Sequence, residues 1–176
     1  MNKILISAFT PFNKANNNYS KEVIDYIESN EFDIKKVVID VVYDECFKEL
    51  SSYNLDQFDL IIALGEARSR KVLTIEQQAL NISSCSISDN KGNFKKEEKI
   101  IENQEDVLST NLNINNCSDI ALISTYAGKF VCNNLYFHLL NYNPNKCLFI
   151  HIPECNNDIN LYQKYALDIL KILKLL

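Results

Sequence analysis

The chain has 176 residues, 47% of them apolar and 23% charged, with a net charge of -5. That length suits one domain spanning 1–176, long enough to bury roughly 70% of its unfolded surface without staples. Acidic and basic residues interleave with no basic stripe, which argues against nucleic acid as the main partner. No stretch reaches the ~18–20 apolar residues of a membrane span. The opening run to Phe9 leads into Thr10-Pro11-Phe12-Asn13 with no small-residue cleavage site, so it reads as a buried strand and the chain is expected to stay in the cytoplasm.

Taken in chain order, short β-branched runs alternate with helical patterns. Lys3–Phe9, Lys35–Val42, Phe58–Leu64, Ile120–Ser124 and Cys147–Ile152 read as strands, apolar enough for a parallel sheet covered on both faces. Ser20–Ser29, Glu45–Ser51 and Lys129–Leu140 read as helices between them. A last helix over Asp158–Leu175 puts Ile159, Tyr162, Ala166, Ile169 and Leu173 on one stripe, capped from Asn156-Asn157-Asp158. The pattern predicts an α/β fold, a three-layer α/β/α sandwich around a mostly parallel twisted sheet. Asp89-Asn90-Lys91-Gly92-Asn93 is a turn, around which an antiparallel edge hairpin is expected. The polar stretch 95–116 carries no clear periodicity.

Six cysteines (46, 85, 117, 132, 147 and 155) include no C-x-x-C pair, so most are expected to be small buried hydrophobes. Two histidines, 138 and 151, are the candidate bases for a reactive thiol. His138 follows Cys132 by six positions on one predicted helix, about 600° of rotation and ~9 Å of rise, so the two side chains diverge. His151 instead ends a buried strand, where open α/β sheets place their functional crevice. Cys132 falls near the first turn of the Lys129 helix at the same sheet edge, where free amides and the helix dipole favour a thiolate and an oxyanion. Each feature taken singly is more often structural: a lone helical cysteine, a satisfied strand-end histidine, a solvated charge at Glu76.

Five segments, in order, resemble the pyroglutamyl peptidase type I family. Ala8-Phe9-Thr10-Pro11-Phe12 with Asn18-Tyr19-Ser20 is similar to its G-F-x-P-F-G-G…N-P-S opening. Leu64-Gly65-Glu66-Ala67 through Arg70, then Ile75-Glu76 to Asn81, resembles G-Q-A-x-x-R…I-x-x-E-R-x-A-x-N. Asp89-Asn90-Lys91-Gly92 matches a D-N-x-G turn, Ser124 through Asn133 resembles S-x-x-A-G-x-F/Y-V-C-N, and Phe149-Ile150-His151-Ile152-Pro153 resembles F-I-H-V-P. The resemblance implies a cysteine omega-peptidase acting after an N-terminal pyroglutamate, with Cys132 as nucleophile, His151 as base and Glu76 orienting the imidazole. It places Phe9, Phe12, Phe130 and Val131 in the walls of a lactam pocket, and Asn18 and Arg70 near it, Arg70 alternatively in a structural ion pair. It further implies peptide substrates with a blocked N-terminus and a homo-oligomer (dimer or tetramer); no metal or organic cofactor is expected, since neither histidine has a ligand partner at metal-site spacing.

The chain departs from the family at several points. Glu66 stands where the family has glutamine, and a carboxylate only accepts hydrogen bonds. Asn13-Lys14 replaces Gly-Gly, Gln77-Gln78 replaces Arg-Val, and Tyr19 replaces Pro. Two other readings therefore stand beside the first: a divergent cysteine hydrolase of altered specificity, and a catalytically weak protein that binds lactams or peptide N-termini.

Overall fold

The computed structural model describes residues 1–176. Strand β1 (Lys3–Phe9) is followed by helix α1 (Tyr19–Asp25), β2 (Asp33–Ile39), α2 (Glu45–Ser51) and β3 (Leu60–Glu66). Then come the short strands β4 (Thr74–Glu76), β5 (Gln78–Leu80), β6 (Val107–Ser109) and β7 (Leu122–Ser124). Helix α3 (Val131–Tyr142), β8 (Cys147–Ile152) and helix α4 (Ile159–Leu175) complete the chain.

The main sheet runs β2-β1-β3-β8-β4-β7. Its first four strands are mutually parallel, β4 lies antiparallel to β8, and β7 lies parallel to β4. This is the expected α/β architecture. Alternation along the central strands explains their unbroken apolar runs, because each face has its own core. Ile62 and Leu64 of β3 and Leu148, Ile150 and Ile152 of β8 join the cluster that includes Tyr162, Ala166, Ile169 and Leu173 of α4. Ile61, Ala63, Cys147 and Phe149 join the opposite cluster with Leu135, Tyr136 and Leu139 of α3. Of the α4 stripe, only Ile159, at the first helical position, stays 55% exposed.

The antiparallel element differs from the expected edge hairpin. It is β4, inside the sheet between β8 and β7, while β5 and β6 pair with each other in a separate two-stranded sheet. The Asp89–Gly92 turn forms, with Asp89 accepting the backbone N–H groups of Lys91, Asn93 and Tyr43. Its arms meet at an isolated Ser83–Glu98 bridge, with the Cys85 N–H donating to the Lys95 carbonyl nearer the turn and β5 pairing with β6 beyond it. The polar 95–116 stretch is organised by one buried side chain, Asn81, whose Oδ1 accepts from Ile100 and Ile101 N–H and whose Nδ2 donates to the Ile101 carbonyl.

Two neighbouring asparagines of α3 fix that helix, Asn133 against the β5 segment and Asn134 against the start of α2. Asn133 accepts the Leu80 N–H and donates to the Leu80 and Ile82 carbonyls, all at 2.8–3.0 Å. Asn134 accepts the Asp44 N–H at 3.0 Å and donates to Asp44 Oδ1 at 2.9 Å. The consequence for the site is a fixed depth for the start of α3.

Candidate active site

Strand β8 carries His151 one residue before its end, and β4 crosses it antiparallel with Thr74 opposite His151 and Glu76 opposite Phe149. Opposed residues share a face, so the Glu76 and His151 side chains both point toward α3. Glu76 is fully buried, and its Oε1 lies 2.8 Å from His151 Nδ1. A carboxylate can only accept, so Nδ1 donates to it, the contact that selects the Nδ1–H tautomer. The Phe149 ring, 4.9 Å from the imidazole centroid to centroid, packs beside it.

Cys132 is the second residue of α3 and half-buried. Phe130 is the N-cap and offers no side-chain hydrogen bond, so the first-turn amides beside the thiol have no cap. Burial pushes the thiol up to about 12, the Glu76 and Glu66 carboxylates push the same way, and the Cys132 N–H opposes them. Burial and the two carboxylates thus act against the thiolate that a helix start favours. His138 lies elsewhere: its ring stacks on Phe47 and its Nε2 faces Asp44 Oδ1 at 3.3 Å. The Asp44 carboxyl is held down at about 2, chiefly by that histidine.

Cys132 and His151 open onto one cavity of about 450 Å³, which Phe9, Phe12, Asn18, Glu66, Arg70, Phe130 and Val131 also line. Phe12 and Phe130 pack at 5.8 Å between ring centroids, and Tyr43 meets Phe130 edge-on at 5.5 Å. Phe9 is only 2% exposed and serves core and cavity wall at once. The apolar side chains of the predicted set thus converge with the Cys-His-Glu group.

The polar members of that set are bound to other protein groups. Asn18 caps α1, accepting from Ser20 N–H and Oγ and donating to the Thr10 carbonyl. Glu66 accepts the Tyr19 N–H at 2.8 Å and pairs with Arg68 Nε at 2.7 Å, and the Arg68 guanidinium lies over the Tyr19 ring. Arg70 forms an ion pair, its Nη2 reaching Glu76 Oε1 at 2.9 Å, Ser124 Oγ at 3.1 Å and the Tyr126 carbonyl at 2.8 Å. Sequence reasoning did not single out Ser124 and Tyr126 as partners for Arg70. One contributes a backbone oxygen, which leaves no trace in residue type. Tyr136, which donates from Oη to the Glu76 carbonyl at 2.7 Å, was hidden among the apolar residues of α3.

Comparison with known proteins follows the same lines. The pyroglutamyl peptidase family profile matches residues 2–166. The pyrrolidone-carboxylate peptidase of Thermosipho africanus is 34% identical over 166 residues, 86% of this chain and 81% of that protein. That of Fusobacterium nucleatum is 35% identical over 171 residues, 87% of this chain and 78% of that protein. Among solved structures, pyroglutamyl peptidase I of Bacillus amyloliquefaciens superposes with a TM-score of 0.85 at 27% identity, covering 98% of this chain and 96% of that one. The pyrrolidone carboxyl peptidase of Thermus thermophilus superposes at 0.89 with 22% identity, covering 98% and 100%. Family profile, relatives and fold agree, and this chain belongs to the pyroglutamyl peptidase family.

Proposed function

We propose that this chain is a cysteine omega-peptidase that hydrolyses the bond after an N-terminal pyroglutamate, using Cys132, His151 and Glu76. The observation that carries the assignment of roles is the 2.8 Å contact between His151 Nδ1 and a fully buried Glu76, on an imidazole that shares a cavity with the Cys132 thiol at the start of α3. Family membership supplies the reaction class.

Glu76 holds the imidazole so that Nε2 takes the Cys132 proton as Sγ attacks the carbonyl that follows the lactam ring. First-turn amides of α3 would receive the developing oxyanion. His151 then gives the proton to the departing amine, and water attacks the thioester with His151 again as base. The flat, uncharged ring sits against Phe12 and Phe130, which supply apolar area and aromatic faces. Glu66 already has protein donors, so it gives no ground for a cationic substrate.

The chain is read as one domain with peptides as substrates. No helix is long and apolar enough to cross a membrane. A cytoplasmic location and a homo-oligomeric state are part of this proposal, resting on composition and family resemblance.

Release of a fluorescent amine from a pyroglutamyl amide under reducing conditions tests the reading. The wild-type protein should turn over, and Cys132→Ser should lose about 10³-fold or more. A folded wild type without turnover, or a Cys132→Ser variant that keeps it, would overturn the assignment.

A further inference from the structure

We infer that Gly65 is a positioning residue for the nucleophile: the absent side chain at 65 is the seat of the Cys132 thiol. The inference rests on the role of Cys132 proposed above.

Gly65 lies within β3, in register opposite His151 of β8. Paired residues share a face, so a side chain at 65 would project toward α3 beside the imidazole. The chain has three glycines. Gly92 and Gly128 have φ of 83° and 86°, a left-handed backbone that favours glycine, whereas Gly65 is not among the positive-φ residues. Any residue could adopt its backbone, and Gly also weakens a strand interior. The reason for glycine must therefore be space.

The space is occupied. A Cβ at 65 would stand 2.7 Å from Phe149 Cζ, 2.9 Å from Phe149 Cε1 and 2.9 Å from Cys132 Sγ. These two neighbours respond differently. The Phe149 ring is fully buried, between Tyr136 at 5.7 Å and His151 at 4.9 Å between centroids, and cannot retreat without disturbing both. The thiol is one torsion from the backbone and yields by rotating about χ1. That rotation carries Sγ away from the β3–β8 seam on which His151 is held. A methyl at 65 thus displaces the reacting atom and presses on the Phe149 ring as well.

The experiment compares Gly65→Ala with wild type in three readouts. In turnover of the pyroglutamyl amide, kcat should fall by about 10²-fold while KM moves by less than about 3-fold. The rate of iodoacetamide alkylation should change in its pH profile, because the thiol has left the environment that governs its ionisation. In denaturant unfolding, Gly65→Ala should cost less in a Cys132→Ala background than in the wild type, a coupling that depends on Sγ and not on activity. If Gly65→Ala does not fold, the same comparisons are made between Phe149→Leu and Gly65→Ala/Phe149→Leu, which removes the ring collision and leaves the sulfur one. Wild-type kcat and alkylation in a folded Gly65→Ala protein, or equal unfolding costs in both backgrounds, overturn the inference. Turnover by Cys132→Ala would instead remove the nucleophile assignment, with the unfolding comparison still reporting whether Gly65 seats the sulfur.

Discussion

Arg70 and His151 reach the same atom of Glu76, its Oε1, at 2.9 and 2.8 Å, while Oε2 is buried with no partner. One carboxylate oxygen therefore compensates a guanidinium and orients the His151 imidazole. Arg70 is itself fastened to the Tyr126 carbonyl, so the loop leading into α3 is tied to the acid that holds the imidazole. Two substitutions separate these roles. Glu76→Gln removes the charge and keeps a carbonyl oxygen, and kcat should fall by about 10²-fold with KM little changed. Arg70→Gln leaves a buried carboxylate without its cation, so its main effect should be on stability, a loss of about 2–4 kcal/mol by urea unfolding. A Glu76→Gln enzyme with wild-type kcat would show that the contact is structural.

Glu66 contributes to the field at the thiol and fastens the end of β3 to the start of α1. Glu66→Gln should weaken the Arg68 contact and remove one of the carboxylates that hold the Cys132 thiol up. The sign follows directly: with less negative charge nearby, the thiolate is easier to form. The pH profile of Cys132 alkylation should move toward lower pH, and the melting temperature should drop by a few degrees, about 1 kcal/mol of lost bonding. A profile moved toward higher pH would contradict the placement of this charge.

Alkaline conditions should destabilise the fold through its structural thiols. Burial pushes Cys147 up to about 12, against 9.0 for an ordinary thiol. Such a group keeps its proton in the folded state after the unfolded chain has released it. Stability is thus constant below about pH 9 and falls as pH rises from there toward 12, by up to about 1.4 kcal/mol per pH unit for each such group. Urea midpoints near pH 7 and near pH 10 should show this fall, and Cys147→Ala should make it shallower. An unchanged slope would mean that Cys147 titrates alike in both states.

Asn133 tests how the depth of α3 is set. Removing its amide in Asn133→Ala strips partners from the Leu80 N–H and from two carbonyls, a loss of about 3 kcal/mol. Because Cys132 is the adjacent residue, kcat should fall in the folded fraction as well. Full activity with lowered stability would assign Asn133 to anchoring alone.

Much of this was legible because local and global demands coincide. The bounds of β1, α2 and β8 agree residue for residue with the expected spans, since each is a sharply bounded run with a single consistent period. Strand β4 was not legible: three residues carry too little pattern, and its neighbours in the sheet come from 46 or more positions later in the chain. Cys132 and His151 could be chosen from topology, because a strand end and a helix start converge at one sheet edge. Glu76 could not, since nothing about a glutamate in a short polar-flanked strand distinguishes a buried acid from a solvated one. Its role came only through resemblance. The engagement of Glu66 and Asn18 within the protein was equally hidden, because their partners are mostly main-chain N–H and carbonyl groups.

The antiparallel seating of β4 on β8 also makes the enzyme a reporter of its own maturation. Slipping a strand by one residue turns every side chain to the opposite face. For β4 that would swing Glu76 from His151 into the layer occupied by α4, with only three residues of pairing to resist the error. Helices and the four-strand parallel block can regain their circular dichroism before this short strand finds its alignment. In a refolding time course, recovered turnover should then trail recovered ellipticity, and the interval between the two curves measures how long the last strand takes to register.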